Sequence, residues 1–212
     1  MGKIKQGILG GFSGKVGSVI GSSWKGKSYM RGIAASIANP RTLRQRIQRT
    51  KFAMAIAAIQ PITAFLRVGF RNYAQGRTAF NAAMSYTFRN AIAGTYPDYY
   101  IDYTKLLVAH GSLTGAFSPS VDSPTGKIEV YWDDNSGMGN AQPTDLAMVV
   151  AINPERGESL YILEGEPRTA GCEEMAISPY WAGENIEVYL TFISEDGKSI
   201  ADSVHCGTVT AH

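Results

Sequence analysis

Residues 10–16 are the first stretch whose residue types could do chemistry, because Gly-Gly-Phe-Ser-Gly-Lys-Val is similar to a phosphate-binding loop. That loop needs a further glycine and, directly after the lysine, a Ser or Thr whose hydroxyl holds Mg²⁺. The chain has Leu9 and Val16 at those two positions. We therefore predict no nucleotide site here.

The histidines and cysteines form no better catalytic or metal-binding pattern. His110, His205 and His212 have no Gly-x-Ser-x-Gly turn nearby, so no hydrolytic triad is predicted. Cys172 and Cys206 would need two further ligands at a recognised spacing to hold a metal. Two thiols in a chain without a signal peptide are more often buried apolar groups than a bridge, although a disulfide stays open. We expect no enzyme activity, no cofactor and no metal.

Charge is divided unevenly along the chain. Residues 1–110 contain 16 Lys and Arg against two acids, a net charge of +14, whereas residues 111–212 contain four against 16 acids, a net charge of −12. Adjacent acids such as Asp133-Asp134 and Glu173-Glu174 are expected to point apart into solvent and to set surface charge. The sequence therefore predicts an electrostatic dipole.

Several partners fit such a dipole. The basic half could bind nucleic acid, dock on its own acidic half, or dock on the acidic half of a neighbouring copy, which would build a ring or a filament. A plainer reading is that both halves are solvated surfaces of unequal charge. Charge alone does not choose between these readings.

The first segment has too many glycines for a helix, at positions 7, 10, 11, 14, 17, 21, 26 and 32. Residues 16–24 and 28–33 flank the short connection Lys25-Gly26-Lys27, which predicts a Gly-rich β-hairpin. Glycine inside a strand permits close approach of another backbone. We therefore expect this hairpin to pack tightly against another surface or another chain.

The first of three predicted helices starts at about Asn39-Pro40, an N-cap residue followed by proline at the first helical position, and runs to Ile59. Its apolar side is expected to hold Leu43, Ile47, Thr50, Met54 and Ala58. Its opposite side is expected to hold Arg41, Arg44, Arg49 and Lys51. The spacing predicts an amphipathic basic helix.

Two shorter helices should follow. The second is expected over residues 61–73, after Pro61, and the third from the N-cap Thr78 to Ile92, with Gly94 as its C-cap. Phe80, Met84, Phe88 and Ile92 repeat every four residues on the third helix. Such a stripe is typical of a helix face that packs on a core.

Residues 96–103 are a dense aromatic segment that we predict to be a linker, so the predicted domains are 1–103 and 104–212. Seven β-strands are expected in the second domain, over residues 105–110, 127–133, 146–152, 159–163, 173–177, 186–193 and 200–206. Their number and spacing, with Trp132 on an early strand, predict an immunoglobulin- or fibronectin-like β-sandwich. The predicted fold class is α+β.

The N-terminal signature also resembles a family. Met1-Gly2-Lys3-Ile4, the segment Gly7 to Gly17, Gly21 to Gly26 with Trp24, and Tyr29-Met30-Arg31 resemble an uncharacterised domain family of Bacteroidota genomes and their phages. The likeness continues through Asn39-Pro40 and Arg49-Thr50-Lys51-Phe52 to a β-rich C-terminus, and so covers most of the chain. The family has no assigned activity, so the resemblance implies only a role in a virion or another assembly.

The sequence thus favours a non-enzymatic structural protein of a multi-copy particle, such as a phage ring, tail or head accessory protein, or of a self-assembling filament. The residues expected to make the contacts, with further copies or with a polyanion, are Lys15, Trp24, Lys25, Arg31, Arg41, Arg44, Arg49 and Lys51. The alternative is a nucleic-acid-binding protein without sequence preference that uses the same basic half. We expect a chain made in the cytoplasm, without a membrane span, and carried in a virion.

Overall fold

The computed structural model describes residues 2–4, 10–24, 27–36, 39 and 41–212. The chain consists of two compact units, residues 1–42 and residues 43–212, each with most of its contacts inside itself. The sequence placed its only boundary between residues 103 and 104 instead. The two divisions differ because residues on both sides of position 103 share one core, as described below.

The first unit contains a four-stranded antiparallel sheet with the strand order β1-β2-β3-β4, here called the N-terminal sheet. Its strands are β1 (Lys3–Ile4), β2 (Phe12–Val16), β3 (Val19–Trp24) and β4 (Lys27–Gly32). The predicted hairpin is present as β3 and β4, and its connection, Lys25 and Gly26, lies outside the described residues. The strands β1 and β2 were not predicted.

One glycine of this sheet explains part of the glycine content. A Cβ at Gly21 would collide with the carbonyl oxygen and the ring of Phe12, which lies on the neighbouring strand. The close approach that the sequence predicted for the hairpin therefore occurs within the sheet at this position.

The second unit begins with three α-helices among the described residues: α1 (Leu43–Ile59), α2 (Thr63–Gly69) and α3 (Ala79–Asn90). A short 3₁₀ turn, Arg71–Tyr73, follows α2, so the predicted second helix is split. The Thr78 side chain accepts a hydrogen bond from the Asn81 N–H at 3.1 Å, which confirms the predicted N-cap of α3.

The predicted ends and faces of these helices need correction. Helix α1 begins at Leu43 rather than near Asn39, Pro40 lies outside the described residues, and Leu43 is 53% exposed instead of facing a core. Gly94 does not cap α3, because Ala91 follows the last turn and Gly94 lies in a strand with φ +86°. Its positive φ suits glycine.

The predicted aromatic linker is largely a hairpin. Strands β5 (Ile92–Thr95) and β6 (Asp98–Ile101) pair antiparallel, and a 3₁₀ turn, Tyr103–Lys105, follows. Ile92, Ile101 and Tyr103 are half-buried against the core of the helices. The prediction of a linker was wrong, because strand pairing and packing against the helices order this segment.

Residues 104–212, all of which the structure describes, form a sandwich of seven antiparallel strands. The strands are β7 (Phe117–Asp122), β8 (Lys127–Asp133), β9 (Leu146–Asn153), β10 (Glu158–Ile162), β11 (Cys172–Ala176), β12 (Asn185–Ile193) and β13 (Val204–Thr210). One sheet has the order β10-β9-β12-β13 and the other the order β11-β8-β7. In a constant-type immunoglobulin fold the fourth strand pairs in the sheet of the first two strands. Here the fourth strand of the sandwich, β10, pairs with the third, β9, and this arrangement is that of a fibronectin-like sandwich.

One predicted strand is absent and another is displaced, because the last strand, predicted at residues 200–206, is β13 at Val204–Thr210. Residues 105–110 form no strand: Lys105 ends the 3₁₀ turn, and the amides of Val108 and Ala109 donate to the Ser203 hydroxyl. The first strand is instead β7, which contains Pro119 and has an irregular register near Ser118. Proline obscured this strand in the sequence because it is tolerated only at sheet edges and irregularities.

The four-stranded sandwich sheet is covered on both of its faces. On one face, Val149, Val188 and Leu190 pack with Val130 and Trp132 of the opposite sheet. On the other face, the core contains Met148, Val150, Ile152, Tyr189 and Ile193 together with Phe65, Leu66 and Ala83 of the helices. Strand β9 accordingly reads as an almost continuous apolar run instead of an alternating one. The α+β class is confirmed, with the helices forming a third layer on the sandwich.

Candidate interaction surfaces

The eight predicted contact residues are distributed over both units of the chain. Lys15 lies on β2, Arg31 on β4, and Arg41 just before α1, and all three are exposed. Arg44 and Arg49 lie exposed on α1, whereas Lys51 is half-buried. Trp24 is the last residue of β3, and Lys25 lies outside the described residues.

The pairing register brings Lys15 and Arg31 together. Lys15 pairs with Ile20, and Ile20 pairs with Arg31, so the three residues form one row across β2, β3 and β4. Because side chains alternate along a strand, Lys27 and Tyr29 lie on the same face as Arg31. We call Lys15, Lys27, Tyr29 and Arg31 the basic sheet face; all four are exposed.

The N-terminal sheet has almost no interior. Among the sheet residues whose exposure the structure describes, which do not include Ile4 and Trp24, Gly21 alone is buried. Val16, Tyr29, Met30 and Ile33 are 52%, 46%, 69% and 41% exposed. Isolated sheets need a covered apolar face to be stable in water, so this sheet lacks the usual source of stability within its own unit.

The first half of α1 forms a second basic surface. Its sequence contains no acid, Arg44, Arg46 and Arg49 are exposed, and its first buried residue is Ala55. The Nζ of Lys51 lies 4.7 Å from the ring centroid of Tyr99. That cation–π contact holds Lys51 against the β5–β6 hairpin.

An open apolar groove of about 630 Å³ runs beside this surface. It is lined by Gln48, Arg49, Phe52, Ala53, Ile56, Ala57, Gln60 and Phe88. Phe52 is 53% exposed, which is unusual for a large aromatic side chain on a helix. The sequence had assigned Phe88 to the core, and it is half-buried.

The outer side of the three-stranded sandwich sheet is acidic, and the sequence did not single it out. Asp122, Glu129 and Glu174 pair in one row across β7, β8 and β11. Lys127 bridges the carboxylates of Glu129 and Glu174, so two of the three acids in this row share one cation. These contacts lower the pKa of Glu129, chiefly through the hydrogen bond from Lys127.

Aromatic side chains stand among these acids. On the same outer side, Tyr131 is 41% exposed and donates its hydroxyl to Glu129 Oε2, and Phe117, 54% exposed, pairs with the exposed Asp133. We call Phe117, Asp122, Glu129, Tyr131, Asp133 and Glu174 the acidic sheet face. Exposed aromatics within a charged rim are typical of protein interfaces.

Adjacent acids do not behave alike, as Glu173 and Glu174 show. Glu174 points outward, but Glu173 points into the sandwich and is 8% exposed, where its Oε2 accepts a hydrogen bond from the Glu166 N–H at 2.5 Å. Burial raises the pKa of Glu173. The prediction that both carboxylates of this pair set surface charge was wrong for Glu173, because β11 is covered on one side only.

Arg168 and Asp145 form a buried ion pair that the sequence did not reveal. Their side chains are 0% and 1% exposed, and Arg168 Nη2 lies 3.1 Å from Asp145 Oδ2. The guanidinium also donates to Asn135 Oδ1 and to the Thr114 and Gly115 carbonyls, and it covers the Phe192 ring at 3.8 Å. Burial lowers the pKa of Arg168, and Asp145 opposes that shift. This cluster ties together loops at one end of the sandwich.

Other predicted features are also placed by the structure. Cys172 and Cys206 are free and half-buried, and burial raises the pKa of the Cys206 thiol to about 12. The described part of the chain has no group of three His, Cys, Asp or Glu side chains arranged for a metal ion. Nor does it have a single helix that is both long and apolar enough to span a membrane, although α1 and α2 would reach that length together across an 86° bend.

Comparison with other proteins gives a family but no activity. No curated protein matches the chain. A solved fibronectin type III domain of the human collagen α-1(XX) chain is 22% identical over 49% of this chain and 87% of that domain, with a TM-score of 0.32. That score is too low to add to the strand order described above. A family model matches residues 11–207, and the chain belongs to that family of unknown function, DUF6266.

Proposed function

We propose that the chain is a non-enzymatic assembly protein, a structural component of a multi-copy particle such as a phage virion, or of a self-assembling filament. The observation that carries the proposal is the N-terminal sheet, which displays cations and large apolar side chains and buries only Gly21 among the residues whose exposure the structure describes, Ile4 and Trp24 not being among them. A second surface that covers this sheet would supply the missing burial.

A second copy of the chain is the partner whose surface fits. The basic sheet face has three cations and Tyr29 and no acid, while the acidic sheet face has four acids with Phe117 and Tyr131. Complementary charge speeds association and sets the register of the contact. Because the two faces differ, pairing them between copies is heterologous and builds rings or filaments.

Mass measurement in solution tests the assembly. Light scattering on the purified chain should show species larger than a monomer at high protein concentration and low salt, and these should dissociate as salt screens the charges. A strict monomer under those conditions would contradict the proposal, and it is also the result expected if the basic half docks on the acidic half of the same chain.

Charge reversal tests the two faces. Lys15→Glu with Arg31→Glu should abolish the larger species, and Asp122→Lys with Asp133→Lys should do the same, because each variant opposes like charges. A mixture of the two double variants should associate again, since each then offers the charge that the other lacks. Arg67→Glu with Arg71→Glu, an equal charge change on exposed residues of another surface, should leave association intact.

Binding of nucleic acid without sequence preference is the second candidate, and the exposed arginines of the acid-free helix α1 favour it. A basic surface of this kind contacts phosphates and reads no bases. Binding to an arbitrary DNA fragment should then weaken steeply with salt and weaken further in Arg44→Gln with Arg49→Gln. Absence of DNA binding at low salt would remove this candidate and would leave the assembly proposal standing.

A further inference from the structure

A small pocket lies between α3 and the 3₁₀ turn Arg71–Tyr73, wholly within the unit of residues 43–212. Its volume is about 240 Å³, which suits a ligand smaller than most drug-sized molecules. The side chains with chemistry that line it are Tyr73, Arg77, Ser85, Tyr86, Arg89 and His110. None of these residues takes part in the two sheet faces.

The His110 ring is held in place before any ligand arrives. Its Nδ1 lies 2.6 Å from Asp202 Oδ1, and that carboxylate oxygen also accepts the Gly111 N–H at 2.9 Å. The ring stacks on Tyr73 with centroids 4.0 Å apart and planes at 23°. The backbone N–H of His110 donates to the Gly69 carbonyl at 3.0 Å. A polar ring held by a carboxylate and a stacked tyrosine at a pocket wall is the preorganisation that binding sites use.

The charge of the pocket is positive. Arg77 and Arg89 line the pocket, and no acidic residue lines it. The carboxylate that contacts His110, that of Asp202, does not line the pocket and is hydrogen-bonded to His110 Nδ1 and the Gly111 N–H. Arg77 Nε donates to the Tyr73 carbonyl at 3.3 Å, which anchors this guanidinium at the wall. Two guanidinium groups around a partly enclosed space attract an anion.

We infer that this pocket binds the phosphate group of a small phosphate monoester. A planar carboxylate is satisfied by one guanidinium, whereas a tetrahedral phosphate presents oxygens in several directions and suits two guanidinium groups with hydroxyl donors around them. The aromatic rings of Phe70, Tyr73 and Tyr86 leave an apolar wall for the organic part of the ligand. This site is independent of the proposed assembly.

Imidazole NMR with inorganic phosphate as the probe tests the site. The chain has three histidines, so His205 and His212 serve as internal references outside the pocket. Phosphate should shift the His110 ring resonances saturably and leave those of His205 unchanged, while chloride at equal ionic strength should not shift them. Arg77→Gln with Arg89→Gln should weaken the effect at least about tenfold, because charge-assisted hydrogen bonds are lost.

The control is Arg67→Gln with Arg71→Gln, which removes the same charge from exposed residues that do not line the pocket. This variant should bind phosphate like the unmodified chain. The inference is overturned if His110 shows no saturable shift, if chloride or acetate produces the same shift, or if the control variant weakens the effect as much as the pocket variant does.

Discussion

The N-terminal sheet and the unit of residues 43–212 are both built largely from antiparallel strands, yet they are stabilised differently. The sheet has strand hydrogen bonds but buries only Gly21 among the residues whose exposure the structure describes, whereas β9 and β12 of the second unit are covered on both faces. A backbone hydrogen bond contributes only about 0.5–1.5 kcal/mol net, and apolar burial supplies most of the stability. Strand pairing alone therefore sets the arrangement of the strands but contributes little to their stability. Four predictions test this difference between the two units.

Loss of the buried ion pair should have the largest effect on the second unit. Arg168→Ala leaves the Asp145 carboxylate buried without its partner, so we expect the free energy of unfolding to fall by about 3–5 kcal/mol. Urea unfolding measures this. Arg156→Ala is the matched control, since its ion pair with Glu184 is at the surface and should contribute little to stability. Equal losses in the two variants would show that Arg168 is not central to the sandwich.

Close backbone packing at Gly111 should have the next largest effect. A Cβ at this position would overlap the Ile200 carbonyl oxygen, so Gly111→Ala should cost about 1–3 kcal/mol of stability. At Gly115 the nearest such atom, the Asp202 carbonyl oxygen, is 3.8 Å away, and Gly115→Ala should be nearly neutral. Thermal unfolding of both variants checks the pair, and a neutral Gly111→Ala would contradict the packing described here.

Thiol reactivity should differ between the units. In a Cys172→Ser variant, Cys206 is the only thiol. With a pKa of about 12, it should be alkylated at pH 8 about a thousandfold more slowly than the thiol of free cysteine. In the control variant Ser13→Cys, the new thiol lies at an exposed position of β2 and should be alkylated as fast as the thiol of free cysteine.

Stability should also depend on pH through Cys206. Because folding raises the pKa of Cys206, its contribution to stability is full below about pH 9 and falls as pH rises toward 12. The variant Cys206→Ala should not show this loss of unfolding free energy at high pH. Rapid alkylation of Cys206 in the folded chain would contradict its burial.

Removal of the N-terminal unit should have the smallest effect on the rest. Both apolar cores consist of residues 55–211, so a chain of residues 43–212 should fold and match the full chain in stability to within about 0.5 kcal/mol. In the monomeric full chain, amides of β2 to β4 should exchange with solvent far faster than those of β9 and β12. Unfolding of the shortened chain, or slow exchange in β3, would show that the comparison is mistaken.

The sequence identified some of the charged residues of the candidate surfaces but not how they are arranged in space. Lys15 and Arg31 were singled out by charge, but their common row depends on a pairing register that charge does not encode. Lys51 was singled out in the same way and instead lies over the Tyr99 ring. The row of Asp122, Glu129 and Glu174 joins residues far apart in the chain, so no local pattern could indicate it.

Residue types and spacing were enough to predict the local elements and the division of charge. The Thr78 cap and the strand predicted at residues 186–193, which is β12, depend mainly on neighbouring residues. Long-range packing, in contrast, places helices on the second face of the β9 sheet, makes residues 92–101 a hairpin and buries Arg168. Each of these depends on which surface lies opposite, and that is a property of long-range packing rather than of residue spacing.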